Sequence, residues 1–99
     1  MAMSMSEPAT VTEPDVDEQV RQLPPYRVLL HNDDVNTFDH VILAILKLTP
    51  LNEREAVERT IEAHQRGLSL LLMTHRERAE LYVEQFATYK LTVTCEPSD

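Results

Sequence analysis

The side chains with a capacity for chemistry gather in two places. Asn32, Asp33 and Asp34 form one run, with Asn36 two residues beyond, and His64 stands three residues before Gly67, the only glycine of the chain. His31 precedes the run, and His40 and His75 complete the histidines. An Asn carbonyl oxygen, a carboxylate and a neutral imidazole nitrogen are three different kinds of acceptor. Acceptors of these kinds, on a chain of net charge −8, permit a cationic ligand. The same residue types also suit a plain connection. Asn and Asp are usual turn formers, and a histidine on an apolar helix stripe can be a satisfied core residue.

Motifs for catalysis are missing. No histidines stand in an HExxH pair, and Cys95 has no CxxC partner, so the sequence holds no zinc motif. A single glycine rules out a Gly-rich phosphate loop, and no serine lies in a nucleophile elbow. Neither cofactor nor metal is expected. A metal-dependent enzyme using His31, Asp33, Asp34 and His64 is a rival reading that a metal assay on purified protein would separate.

The elements that must position these residues follow from periodicity. Tyr26–His31 reads as a strand. Residues 32–37 are turn and cap formers. Phe38, Val41, Ile42 and Ile45 then mark one stripe of a helix, capped by Thr37 or Asn36 and ended by Thr49-Pro50. A second helix starts at Asn52 with Glu55 as its capping box. Its stripe is Ala56, Val57, Thr60, Ile61 and His64, and Gly67 closes it. The apolar run Leu68–Met73 predicts a buried central strand. Thr74 and Glu77 predict another capping box, before a helix carrying Ala79, Tyr82, Val83, Phe86 and Ala87. Leu91–Cys95 alternates as the last strand, with a frayed end at residues 96–99. The expected fold is α+β, βααβαβ, a three-stranded antiparallel sheet covered by three helices on one face.

Composition bounds the rest. The chain has 99 residues and one cysteine, so it is one domain without an internal disulfide. Residues 1–24 hold five acids, one base, three prolines and no aromatic residue, the composition of a disordered acidic arm. The folded core is expected over 25–97. A net charge of −8 speaks against nucleic acid and against an anionic membrane, and it permits a cationic partner or ligand. No apolar run is long enough to span a bilayer, and no signal peptide is seen, so a cytoplasmic protein is expected.

Taken in order, Tyr26-Arg-Val-Leu-Leu-His31-Asn32-Asp33-Asp34, an apolar helix, and then Glu62-Ala63-His64-Gln65-Arg66-Gly67 resemble the ClpS adaptor family over about residues 25–97. The resemblance implies a βααβαβ fold similar to the C-terminal domain of the bacterial ribosomal stalk protein. It implies an adaptor without catalysis, which binds the bulky apolar first residue of N-degron substrates and delivers them to a Clp ATPase–protease. By resemblance, Asn32, Asp33 or Asp34, and His64 would hold the free α-amino group. The pocket wall would be Asn36, Phe38, Val41, Thr60, Ala63 and Leu91. Glu77 and Glu80 match acidic positions that dock on the N-terminal domain of a Clp ATPase of the ClpA or ClpC type, while the arm engages the ATPase itself. A monomer is expected. Three departures stand out. Asn36-Thr37-Phe38 replaces the frequent Thr-Pro-Met, Thr60 replaces a frequent methionine, and Leu81-Tyr82 stands where a lysine often follows. The alternative is a stalk-like interaction domain, which would not need Asn32, the aspartates and His64 to converge.

Overall fold

A computed structural model describes residues 23–98. The arm expected over 1–24 therefore falls, up to residue 22, outside the described residues. The element order is β1 Tyr26–His31, α1 Phe38–Leu48, α2 Glu53–Arg66, β2 Leu68–Thr74, α3 Arg76–Thr88 and β3 Val93–Pro97. This is the expected βααβαβ order.

Both strand pairings are antiparallel, and the sheet order is β2-β1-β3. The central strand is thus β1, and the expectation of a central β2 is corrected. Its apolar run misled because β2 alternates in burial: Ser69 and Leu71 face the core, while Leu68 and Leu70 are exposed on the far face. Between Val28 and Leu29 the β1–β2 register shifts, with Val28 opposite Leu72 and Leu29 opposite Leu70. Leu71 is the extra residue of this bulge, and it is buried.

Helices cover one face of the sheet, where Val28, Leu30, Leu71 and Val93 are buried. They join Val41, Ala44 and Ile45 of α1, Ala56 and Ala63 of α2, and Ala79, Tyr82 and Phe86 of α3 in one core. The stripe predicted for α2 is rotated: Ala56, Thr60 and Ala63 are buried, and Ile61 and His64 are exposed. Phe38 is likewise not core, being 43% exposed at the first position of α1. Ala87, expected on the α3 stripe, is exposed.

The helix ends show why the chain turns where it does. Thr37 caps α1, its Oγ1 accepting from the His40 backbone N–H at 3.1 Å. At the other end the Thr49 backbone N–H donates to the Ile45 carbonyl at 2.9 Å, and Pro50 follows. Asn52 and Glu55 make the reciprocal capping box of α2, at 2.8 and 3.0 Å. Gly67 closes α2 in the left-handed region, with φ 97°. The capping box expected at Thr74 is absent. Thr74 remains in β2 opposite Tyr26, so the N-cap of α3 moves to His75, which makes no side-chain cap bond. Strand β3 also runs later than expected, with Val93–Pro97 paired to Leu30–Tyr26 and the Ser98 N–H bonded to the Pro25 carbonyl at 2.8 Å. The end expected to fray is therefore paired through Pro97. Leu91 precedes the strand and is buried.

Candidate functional site

The connection between β1 and α1 is shaped by Asp33. Its Oδ1 accepts the backbone N–H of Val35 at 3.0 Å and of Asn36 at 2.8 Å, and its Oδ2 accepts Asn36 Nδ2 at 3.1 Å. This is the local side-chain bonding that makes Asp a turn residue. Partial burial pushes the Asp33 carboxyl up, but the hydrogen bonds from Asn36 and Val35, with a smaller contribution from His40, outweigh it. The net result lies below the usual carboxylate range. Asn36 spends its other amide hydrogen on the Lys90 carbonyl at 2.9 Å. The Asn32 backbone N–H donates to the Gly67 carbonyl at 3.0 Å, which ties the start of the connection to the end of α2.

Beneath this connection lies a small open pocket, with about 270 Å³ of empty space. It is lined by His31, Asn32, Asp33, Asn36, Phe38, Val41, Thr60 and Ala63. Strand β1 delivers the polar side through its C-terminal end. The first turn of α1 brings Phe38 and Val41, and the buried stripe of α2 brings Thr60 and Ala63. Thr60 is less polar in place than by type, because its hydroxyl donates to the Ala56 carbonyl at 2.8 Å.

Five of the six residues expected in the pocket wall line this pocket; Leu91 does not, being packed in the main core. Of the four expected around an amino group, Asn32 and Asp33 line it. Asp34 is exposed and is not among the lining residues. His64 is exposed and edge-on to Phe38, with ring centroids 5.1 Å apart and planes at 74°. It is therefore no core histidine. His31 also lines the pocket; the sequence placed it only in the rival metal-site reading, and its position next to Asn32 at the end of a strand was the available signal for the pocket. Its Nε2 lies 2.8 Å from Thr94 Oγ1.

Among the described residues, no three or more of His, Cys, Asp and Glu are grouped so as to hold a metal ion. The constellation His31, Asp33, Asp34 and His64 is thus not assembled as a metal site. Glu77 and Glu80 lie on α3, both exposed. Glu80 is paired with Arg76 at 3.1 Å, and Glu77 lines an open groove with His75, Arg78 and Leu81. No helix among the described residues is long and apolar enough to cross a membrane.

A pocket that joins polar acceptors to an apolar wall can seat a group that is a cation at one end and apolar at the other. Comparison with known proteins gives the family. Residues 21–94 match the model of the family described as "ATP-dependent Clp protease adaptor protein ClpS". An ATP-dependent Clp protease adapter protein ClpS of Synechococcus elongatus is 36% identical over 91 residues, which are 91% of this chain and 96% of the relative. One from another Synechococcus strain is 39% identical over 84 residues, covering 83% and 81%. Among solved structures, Agrobacterium tumefaciens ClpS2 bound to L-phenylalaninamide superposes with a TM-score of 0.69 at 23% identity, covering 76% of this chain and 98% of that one. The chain belongs to the ClpS family of ATP-dependent Clp protease adaptor proteins, which are adaptors and not enzymes.

Proposed function

We propose that this adaptor binds proteins by a free N-terminal α-amino group and a bulky apolar first side chain, and delivers them to a Clp ATPase–protease. The observation that carries the reading is the convergence of Asn32, Asp33, Asn36, Phe38, Val41, Thr60 and Ala63 on one pocket. A stalk-like interaction domain would have no use for that convergence. The solved relative with L-phenylalaninamide supports the reading, because that ligand has a free α-amino group and an aromatic side chain.

The ammonium needs acceptors with spare capacity. Asp33 has spent three bonds on its own connection. Asp34, next to Asp33 in the chain, is exposed, and among the described residues its carboxylate makes no hydrogen bond, so it supplies the charge for the amine. Asn32 and His64 supply neutral acceptors. The first side chain enters between Phe38, Val41 and Ala63. Burying a Leu or Phe there contributes roughly 1.5–3 kcal/mol.

Delivery rests on α3, where Glu77 and Glu80 would meet the N-terminal domain of a ClpA- or ClpC-type ATPase. Residues 1–22 would engage the ATPase itself, and the adaptor would act as a cytoplasmic monomer. The deciding experiment is a titration with short peptides that begin with Phe or Leu and with their N-acetylated copies. Binding of the free peptides alone is the expected result. Equal affinity for the acetylated copies would end the reading.

A further inference from the structure

Among the described residues, only two have a positive φ, Gly67 at 97° and Lys90 at 63°. Both lie just past the end of a helix. Gly67 follows α2. Lys90 follows α3, where its N–H bonds the Ala87 carbonyl at 2.9 Å and the Leu91 N–H bonds the Phe86 carbonyl at 3.1 Å. This is the hydrogen-bond pair of a Schellman ending, here with a lysine where glycine is usual. Phe86 and Leu91, both buried, supply its apolar contact.

Both left-handed residues turn their carbonyls to the connection that forms the pocket. Gly67 accepts the Asn32 N–H, and Lys90 accepts Asn36 Nδ2. His40, in the first turn of α1, adds a third tie: its Nε2 lies 2.8 Å from the Tyr89 carbonyl. A carbonyl can only accept, so this nitrogen carries the proton. The two rings sit 6.0 Å apart. Among the described residues, these three hydrogen bonds are the ones that carry residues 32–40 to other elements of the fold. The remaining bonds of the segment, through Asp33 and Thr37, stay within it or run on into α1.

We propose that His40, acting with the Tyr89–Lys90 turn, is a positioning residue of the binding pocket. It does not line the pocket. It fixes the α1 end of the connection against the α3–β3 turn, one residue from the carbonyl that holds Asn36. With one amide hydrogen on Asp33 and the other on Lys90, Asn36 has only its carbonyl oxygen left. An amide held this way presents an acceptor, not a donor, to whatever enters. That is the polarity an ammonium requires, so the inference rests on the function proposed above and adds His40 and the left-handed turn to its machinery.

The test uses the full chain and three variants. His40→Ala removes the donor, His40→Leu fills the ring's space without a donor, and His40→Gln keeps an N–H able to reach the same carbonyl. The affinity of a Phe-first peptide is read by fluorescence anisotropy, at a temperature where circular dichroism shows each protein folded. His40→Leu and His40→Ala should bind about two- to tenfold more weakly, the range for loss of one hydrogen bond, and His40→Gln should stay within about twofold of the parent. If His40→Ala does not fold, His40→Leu carries the comparison. Parent-like binding by His40→Leu overturns the proposal, as does a loss in His40→Gln equal to that in His40→Leu. If the parent does not distinguish the acetylated peptide, the functional reading has failed, and the clasp is read separately from amide exchange at Val35 and Asn36. Faster exchange there in His40→Leu supports it, and equal exchange overturns it.

Discussion

Gly67→Ala isolates the cost of the left-handed turn that anchors Asn32. A Cβ built at Gly67 would meet nothing within 4 Å, so no steric clash contributes. What remains is the backbone: at φ 97° an L-residue is strained by roughly 1–2 kcal/mol. Alanine also restricts the unfolded chain, which returns about 0.4–1 kcal/mol. The net loss is then about 1 kcal/mol, and in a domain of this size that lowers the melting temperature by roughly 4–8 °C. Thermal unfolding followed by far-ultraviolet circular dichroism measures it. Gln65→Ala, at an exposed neighbour whose side chain makes no hydrogen bond among the described residues, is the control and should stay within about 0.5 kcal/mol of the parent. A Gly67→Ala protein that melts with the parent would refute the reasoning. So would a Gln65→Ala protein that falls as far.

Lys90→Gly should move stability the other way, by roughly +0.5–1 kcal/mol in the same melts, because it relieves φ 63° in a position that suits glycine. Asp33→Ala should destabilise the protein at neutral pH. The Asp33 carboxyl titrates lower in the fold than its ordinary 3.8, so its contribution is complete above that value and is lost as pH falls through the lower one. The stability difference between parent and variant should accordingly begin to shrink as pH falls below 3.8 and go on shrinking through the lower folded value. His64→Ala should weaken binding of a Phe-first peptide by about 1–3 kcal/mol, as expected for loss of an acceptor to a charged donor, and leave the melting temperature nearly unchanged because His64 is exposed. Phe38→Ala should admit peptides beginning with Ile or Val, whose branched Cβ a tight mouth excludes. Competition titrations would detect that change, and unchanged discrimination would remove Phe38 from the mouth.

Element order was legible because its signals are local. Caps at Thr37, Asn52 and Gly67 and the turn-forming run after His31 act within a few residues, and the structure forms all of them. Position within the sheet is not local. Leu68–Met73 reads as buried from composition, yet a strand at the sheet edge with one covered face can hold the same residues, and only pairing with β1 decides. The α2 stripe was misjudged by a rotation of less than half a turn. Ala63 and Ile61 lie on opposite sides of the helix, and it is Ala63, with Ala56 and Thr60, that is buried. The turn at Lys90 carried no sequence signal at all, since lysine is not a residue that announces a left-handed conformation. The ties from Asn36 and His40 to that turn were correspondingly invisible.

A domain this small has little interior in which to enclose a ligand, and its pocket is small. Affinity from such a pocket depends on holding the polar groups in place before the ligand arrives, so that binding orders little that was free. The connection after β1 meets this need with short-range chemistry: Asp33 binds its own turn, and carbonyls exposed by two helix endings bind Asn32 and Asn36. The left-handed residues just past α2 and α3 have carbonyls that need partners in any case. Spending them on the pocket satisfies the fold and orients the site with the same bonds. The strain at Lys90 is then tolerable, because an extended residue there would lose the Schellman bonds of α3 and withdraw the acceptor from Asn36 together.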